Sequence, residues 1–249
     1  TLVFGHINLA AVALLARRLK PKKRIVFVAH GIEVWAQLSN TQQQALEQAD
    51  IILAVSTYTK KRLVAEKGIH AEKIQVFHNT LDPYFEKPTN FQKPGYLQKR
   101  YGFDAGTKII FTLCRLSASE AYKGYDRVVE ALPAVLEENP GAVYLIAGKY
   151  DEEEKQRVEK IAGDKGVLDK IFFTGFLKEE EIMDHYLLAD VFVMPSKNEG
   201  FGIVYLEAMA CGLPVIAGNA DGSVDALKNG ELGTLVNPDD VGEIADAII

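Results

Sequence analysis

Glu199 and Glu207 are the residues whose types and spacing first suggest chemistry. They lie in Asn198-Glu-Gly-Phe-Gly-Ile-Val-Tyr-Leu-Glu207-Ala-Met-Ala-Cys-Gly-Leu-Pro214, between two apolar runs, Val191-Phe-Val-Met194 and Val215-Ile-Ala217. The pattern predicts a strand, a loop with two glycines, a short helix stopped at Cys211-Gly212, and a further strand. In such a unit the loop and the helix start sit at the carboxyl edge of a sheet, where open α/β folds bind ligands. The N–H groups at a helix start favour an anion. Two carboxylates around an anion-binding turn fit a ligand that is part phosphate and part polyhydroxylated.

Arg115 and Lys123 form the second candidate group, in Leu113-Cys-Arg-Leu-Ser-Ala-Ser-Glu-Ala-Tyr-Lys-Gly124. A strand-end arginine and a lysine further along the same loop can clamp a diphosphate through charge-assisted bonds. Taken alone, such a pair is more often just an exposed arginine and a loop lysine. His30 and Glu33, in His30-Gly-Ile-Glu-Val-Trp35, follow another apolar run and therefore also fall at a sheet edge. A histidine there can bond a ligand hydroxyl or can be structural. His6 holds an analogous place, whereas His70, His78 and His185 belong to no constellation and read as structural. Glu207 is flanked by Ile203, Val204, Leu206, Ala208 and Met209, which predicts a helix apolar almost all round. A carboxylate buried there needs partners, either ligand hydroxyls or a protein donor.

The elements that must position these groups alternate regularly. Thr1–Phe4 reads as the end of a strand, and Asn8 as the cap of a helix reaching about Leu19. Strands follow at Ile25–Ala29, Ile51–Val55 and Lys73–Phe77, separated by a helix opened at Ser39 or Asn40 and by Thr57–Lys67, which Ser56 caps and Gly68 ends. From Leu81 to Gly106 the periodicity lapses among Pro83, Pro88, Pro94 and Gly95, apart from a short turn over Tyr96–Tyr101. From Lys108 the alternation resumes, with strands at Ile109–Leu113, Val143–Ala147, Ile171–Thr174, Val191–Met194, Val215–Ala217 and Thr234–Val236. Helices are expected at Asp126–Glu138, Glu152–Lys165, Glu179–Ala189, around Glu207, near Val224–Lys228 and at the end of the chain. Continuous apolar strands alternating with helices predict α/β architecture, two Rossmann-like doubly wound parallel sheets facing a cleft. The division is residues 1–82 as a partial first domain, 83–106 as a linker and 107–249 as a second domain. Both ends of the chain read as cut.

The chain has 249 residues, 48% hydrophobic and 25% charged, with a formal charge of −6. That charge argues against a nucleic-acid partner, whose surface would call for a basic field. Cys114 and Cys211 sit in apolar contexts without metal-ligand spacing, as reduced thiols of a cytoplasmic protein do. The basic cluster Arg17, Arg18, Lys20, Lys22, Lys23, Arg24 is most simply a solvated helix end, with attraction to an anionic membrane as the functional alternative. There is no D-x-D pair for a metal-bound diphosphate, no Walker loop and no G-x-S-x-G elbow. If a diphosphate leaves here, protein cations and a helix start must stabilise it, with no metal and no cofactor.

Together these motifs resemble the retaining GT-B glycosyltransferases of family GT4. The carrying residues are Cys114-Arg115-Leu116, Lys123-Gly124, Gly175-Phe176, Pro195 through Val215, Gly233-Thr-Leu-Val-Asn-Pro-Asp239, Ala54-Val-Ser-Thr-Tyr58 and Val76-Phe-His-Asn79-Thr-Leu-Asp82. The resemblance implies a nucleoside-diphosphate sugar as donor (UDP-, GDP- or ADP-linked) and a hydroxyl acceptor: a lipid carrier, a polysaccharide or a small metabolite. It implies diphosphate binding by Arg115 and Lys123, contact of Glu199 with the transferred sugar, and backbone N–H groups of Gly200, Phe201, Gly202 and Ile203 on sugar and phosphate. Glu207 would hold the ribose, Phe176 would flank the base, and His30 would meet the sugar near its anomeric carbon. Cys114 stands where the family usually has glycine, Thr80 where Asn-Gly is common, and Asp225 where glutamate often follows the glycine-rich loop. The family's N-terminal glycine-rich loop would lie upstream of Thr1. Two other readings remain: a sugar-nucleotide epimerase on the same architecture, and a non-catalytic nucleotide-sugar-binding module, which a truncated chain could be in practice.

Overall fold

The computed structural model describes residues 1–249 and contains two compact units. The first comprises Thr1–Thr80 with Asn198–Gly202, and the second Leu81–Lys197 with Ile203–Ile249. The expected connecting segment therefore groups with the second unit, and the glycine-rich segment after Lys197 groups with the first.

In the first unit the chain runs β1 (Leu2–Phe4), α1 (Ala10–Leu19), β2 (Ile25–Ala29), α2 (Ile32–Trp35), α3 (Asn40–Glu47), β3 (Ile51–Ala54), α4 (Thr57–Lys67) and β4 (Ile74–Val76). The strands are parallel in the order β1-β2-β3-β4. Consecutive right-handed crossovers place the helices on one face of such a sheet. The core shows that arrangement: Phe4, Phe27, Ala29, Ile52, Ala54 and Ile74 pack with Ala10, Ala13, Ala45, Leu46 and Leu63. Val3 points to the other face and is 63% exposed.

Local signals account for most boundaries. Ser39 forms a reciprocal capping box with Gln42 at α3, Ser56 caps α4 through the Thr59 N–H, and Gly68 ends α4 in the left-handed conformation. The expectation for Asn8 fails. His6 takes the cap position, its Nδ1 accepting the Asn8 N–H at 3.1 Å, and a short 3-10 turn over Ile7–Leu9 precedes α1. A histidine two residues upstream competes for the same N–H groups, and composition alone does not rank the two.

The second unit continues with α5 (Gly95–Tyr101), β5 (Ile109–Leu113), α6 (Tyr125–Glu138), β6 (Val143–Ala147), α7 (Glu152–Asp164), β7 (Ile171–Gly175) and α8 (Glu179–Leu188). It closes with β8 (Val191–Met194), α9 (Ile203–Ala210), β9 (Val215–Gly218), α10 (Ser223–Ala226), β10 (Thr234–Val236) and α11 (Val241–Ile248). Its sheet is parallel in the order β10-β9-β8-β5-β6-β7. The chain winds outward from β5 to β7, then returns to β8 on the other side of β5. That reversal makes the carboxyl ends of β5 and β8 the topological switch point, the place where such sheets open a binding crevice. Arg115 follows β5, and the glutamate-bearing segment follows β8.

Helix α5 is fixed to this unit by polar contacts at its end. The Tyr101 hydroxyl meets His185 Nε2 at 2.9 Å, while His185 Nδ1 lies 2.7 Å from the Glu181 carbonyl. A carbonyl only accepts, so Nδ1 carries the proton and Nε2 accepts from Tyr101. Burial holds the His185 imidazole below its ordinary pKa, so it is a neutral structural residue, as its lack of a sequence constellation suggests.

Candidate functional site

The loop after β5 carries the two cations. Residues Ala118–Lys123 coil into a 3-10 turn, and Gly124 ends it at φ +77°. A Cβ at Gly124 would strike the Pro195 carbonyl, so only glycine allows the loop to lie against the segment leaving β8. The Lys197 N–H donates to the Tyr122 carbonyl at 2.9 Å, which ties the two switch-point loops together. Arg115 and Lys123 then converge on one residue that motif spacing did not single out, Glu120. Its carboxylate pairs with the Arg115 guanidinium and lies 3.8 Å from Lys123 Nζ. Glu120 is 9% exposed overall, the Lys123 side chain 15% and the Arg115 side chain 76%. One cation is therefore set in the wall of the loop and the other reaches into solvent.

Helix α9 is less enclosed than its composition suggests. Tyr205 and Ala208 are buried, Val204, Leu206, Glu207, Met209 and Ala210 are half-buried, and Ile203 at the helix start is 40% exposed. Glu207 is half-buried, and a protein donor serves it: the Tyr186 hydroxyl donates to Oε2 at 2.8 Å. Burial raises the Glu207 carboxyl above its ordinary value, and the Tyr186 hydrogen bond opposes that rise. The neighbouring Cys211 thiol is pushed up to about 11 by burial, with the Glu207 charge adding to the effect, so it stays protonated and unreactive. Glu207 also borders a cavity of about 530 Å³ with Asp82, Tyr84, Phe85, Ile182 and Met183, within the size range of small-molecule sites. A second cavity, about 310 Å³, opens at the opposite, amino-terminal edge of the sheet near Lys108, Asp190 and Pro214. Phe176 follows β7 and is 76% exposed, an aromatic face offered to solvent.

The remaining candidates lie in the first unit. His30 leaves β2, its backbone N–H donating to Glu33 Oε1 at 2.6 Å and its Nε2 donating to the Gly5 carbonyl at 2.8 Å. The second contact fixes the ring with Nε2 carrying the proton, since a carbonyl only accepts. The His6 ring stacks on His30 with centroids 6.5 Å apart. The segment Asn198–Gly202 packs here. A Cβ at Gly200 would collide with the His30 carbonyl, so Gly200 is required for the close approach of two backbones. Phe201 is buried and stacks on His78 at 5.6 Å, and Asn198 Oδ1 accepts from Arg62 at 3.5 Å. Glu199 is half-buried in this segment. His78 thus has an aromatic partner inside the glycine-rich stretch, which its isolated place in the sequence did not indicate.

The basic cluster divides in two. Arg17 is held in the fold by Asp50, at 2.6 Å, and by the carbonyls of Lys23 and Gln48. The Asp50 carboxyl is held below its usual range, first by the Ile25 N–H and then by Arg17. Arg18, Lys20, Lys22, Lys23 and Arg24 are exposed. Beside them, α1 and the turn before it expose Leu9, Val12, Leu15 and Leu19, at 43%, 55%, 55% and 67%. No helix is long and apolar enough to cross a membrane.

Residues 97–249 match the family model described as glycosyl transferases group 1, and residues 1–85 match the one described as Glycosyltransferase Family 4. The chain is 34% identical over 252 residues to a GDP-mannose-dependent alpha-(1-6)-phosphatidylinositol monomannoside mannosyltransferase of Mycobacterium tuberculosis, covering 96% of this chain and 63% of the relative. It is 30% identical to a GDP-mannose-dependent monoacylated alpha-(1-6)-phosphatidylinositol monomannoside mannosyltransferase of Corynebacterium glutamicum, covering 96% of this chain and 64% of that relative. The chain thus spans a little under two thirds of the length of these two relatives. Among solved structures, the Anabaena protein HepE in complex with UDP superimposes with a TM-score of 0.82 at 22% identity, over 99% of this chain and 67% of that one. This last likeness concerns the fold.

Proposed function

The chain belongs to the glycosyl transferases group 1 family, and from that premise we propose that it moves a sugar from a nucleoside-diphosphate sugar to a hydroxyl acceptor, with retention at the anomeric carbon and without a metal. The observation that carries the reading is the pair Arg115 and Lys123 at the switch point of the second unit, meeting at one carboxylate where a diphosphate can take its place. These cations and the N–H groups of Gly200, Phe201, Gly202 and Ile203 receive the departing diphosphate. Glu199 bonds the sugar hydroxyls, Glu207 the ribose, Phe176 flanks the base, and His30 meets the sugar beside C1.

In this mechanism the bond from C1 to the phosphate oxygen breaks and its electron pair stays with the phosphate. The acceptor oxygen bonds C1 on the face the phosphate leaves, and the acceptor's proton passes to a phosphate oxygen. Negative charge therefore grows on the diphosphate, where preorganised donors contribute most; losing one such donor costs about 2.7–4 kcal/mol. The two named relatives use GDP-mannose and a phosphatidylinositol-linked acceptor. GDP-mannose is accordingly the first donor to test, and a lipid-borne polyol the first acceptor. The exposed leucines of α1 beside Arg18 and Lys20–Arg24 favour a peripheral contact with an anionic bilayer carrying that acceptor. Two buried cysteines, neither joined in a disulfide, suit a reducing compartment such as the cytoplasm.

A thermal-shift and calorimetric panel of UDP, GDP, ADP and their sugars tests the reading. Saturable binding of one nucleoside diphosphate, tighter than its nucleoside, supports it. Equal affinity for nucleoside and nucleoside diphosphate removes the diphosphate from the account.

A further inference from the structure

The site reserved for a diphosphate already holds an anion. Glu120 sits in the turn between Arg115 and Lys123, its N–H donating to the Ser117 carbonyl at 2.8 Å, and it is 9% exposed. A carboxylate that poorly solvated needs counter-charges. It takes both cations: the exposed Arg115 guanidinium and, at 3.8 Å, the enclosed Lys123 ammonium. The three groups carry a net +1, where two cations alone would carry +2. A purely attractive phosphate site would have no use for that carboxylate.

We propose that Glu120 is a positioning residue that competes with the substrate. It holds Arg115 and Lys123 in place while the site is empty, yields Arg115 when a nucleoside diphosphate binds, and reclaims it when the product leaves. This rests on the reading that Arg115 and Lys123 bind the donor diphosphate, and it adds the regulation of that site. The asymmetric exposure of the cations supports the division of labour. Lys123, walled in with its side chain 15% exposed, stays beside Glu120 whichever anion Arg115 takes. Arg115 is 76% exposed and can swing from one anion to the other. Because Glu120 opposes the diphosphate in every bound state, it weakens binding and speeds product departure, which suits an enzyme that must release a strongly charged product.

The test is Glu120→Gln, nearly the same shape without the charge, titrated by calorimetry with nucleoside diphosphate and with the matching nucleoside. Diphosphate should bind about tenfold tighter, through slower dissociation, while nucleoside affinity stays the same. A merely structural Glu120 would instead lose affinity for both as the loop loosens. If the Gln variant fails to fold, Glu120→Asp keeps the charge beside Lys123 but draws it back from Arg115, and a severalfold gain in diphosphate affinity is expected. Unchanged or weaker diphosphate binding in the folded variant overturns the proposal. The double variant Arg115→Ala with Lys123→Ala separates the two levels. If it leaves diphosphate affinity intact, the underlying reading falls; if it abolishes binding while Glu120→Gln changes nothing, only the competition does.

Discussion

Arg115 and Lys123 bear the same charge in the same loop, yet their removal should have different consequences. A hydrogen bond to a charged group contributes about 1.5–3 kcal/mol, and each 1.4 kcal/mol is tenfold in affinity. The bracket is therefore roughly 10- to 150-fold per cation. Arg115, with its side chain 76% exposed, belongs at the low end, since solvent and salt screen it. Lys123, 15% exposed, belongs near the high end. Stability should divide the same way. Arg115→Ala leaves Glu120 paired with the enclosed lysine, whereas Lys123→Ala leaves a carboxylate of 9% exposure facing only a solvent-borne guanidinium. Breaking a fully buried pair costs about 3–5 kcal/mol, and the surviving partner reduces that here. Calorimetric titration with nucleoside diphosphate at low and high salt, with melting curves of the free variants, gives both readings. Arg115→Ala should lose about tenfold in affinity, mostly at low salt, and melt like the parent. Lys123→Ala should lose about a hundredfold at either salt and melt lower. Equal losses, or a stability drop confined to Arg115→Ala, would mean that burial does not set what each cation contributes.

Glu199→Ala should leave nucleoside-diphosphate affinity within about twofold while flattening the ranking of donors that differ only in the sugar; competition titrations read this, and an unaltered ranking removes Glu199 from the sugar site. Glu207 connects function with pH. Its carboxyl is raised by burial, so the folded protein binds a proton there that the unfolded chain has already released. That contribution to stability is complete below the unfolded value and is lost as pH rises through the raised native one. Glu207→Gln should therefore melt higher than the parent at about pH 7 and like it at about pH 4, while its nucleoside affinity drops roughly tenfold. Melting curves that remain parallel across that range would show that Glu207 ionisation carries no strain.

Buried parallel strands are legible because they are short, continuous apolar runs between turn residues. Ile109–Leu113, Val143–Ala147, Val191–Met194 and Thr234–Val236 need no tertiary information to delimit. The same holds for helix ends with side-chain caps, as at Ser56 and Gly68. Partnerships across the chain are another matter. Tyr186 reaches Glu207 from 21 residues away, and nothing in the local pattern of α8 distinguishes it from a core tyrosine. His78 and Phe201, or Gly200 and the His30 carbonyl, are brought together only by folding. Glu120 was closer to hand, since an acidic residue three before Lys123 is a signal for an ion pair. Its pairing with Arg115 as well depends on the tight 3-10 turn, whose geometry residue type does not dictate. The residue types of a charged site can thus be read in advance, while the charge balance within it cannot.

The most direct test of the account is the stereochemistry of transfer. The protein, an α-linked nucleoside-diphosphate sugar such as GDP-mannose, a lipid-borne polyol acceptor and excess chelator are combined, and the anomeric carbon of the first-formed product is followed by NMR. The expected product is a glycoside of α configuration, formed at an undiminished rate in chelator and lost in the Arg115→Ala, Lys123→Ala double variant. A β-linked product, release of free sugar alone, or transfer that stops when divalent metal is removed would contradict it.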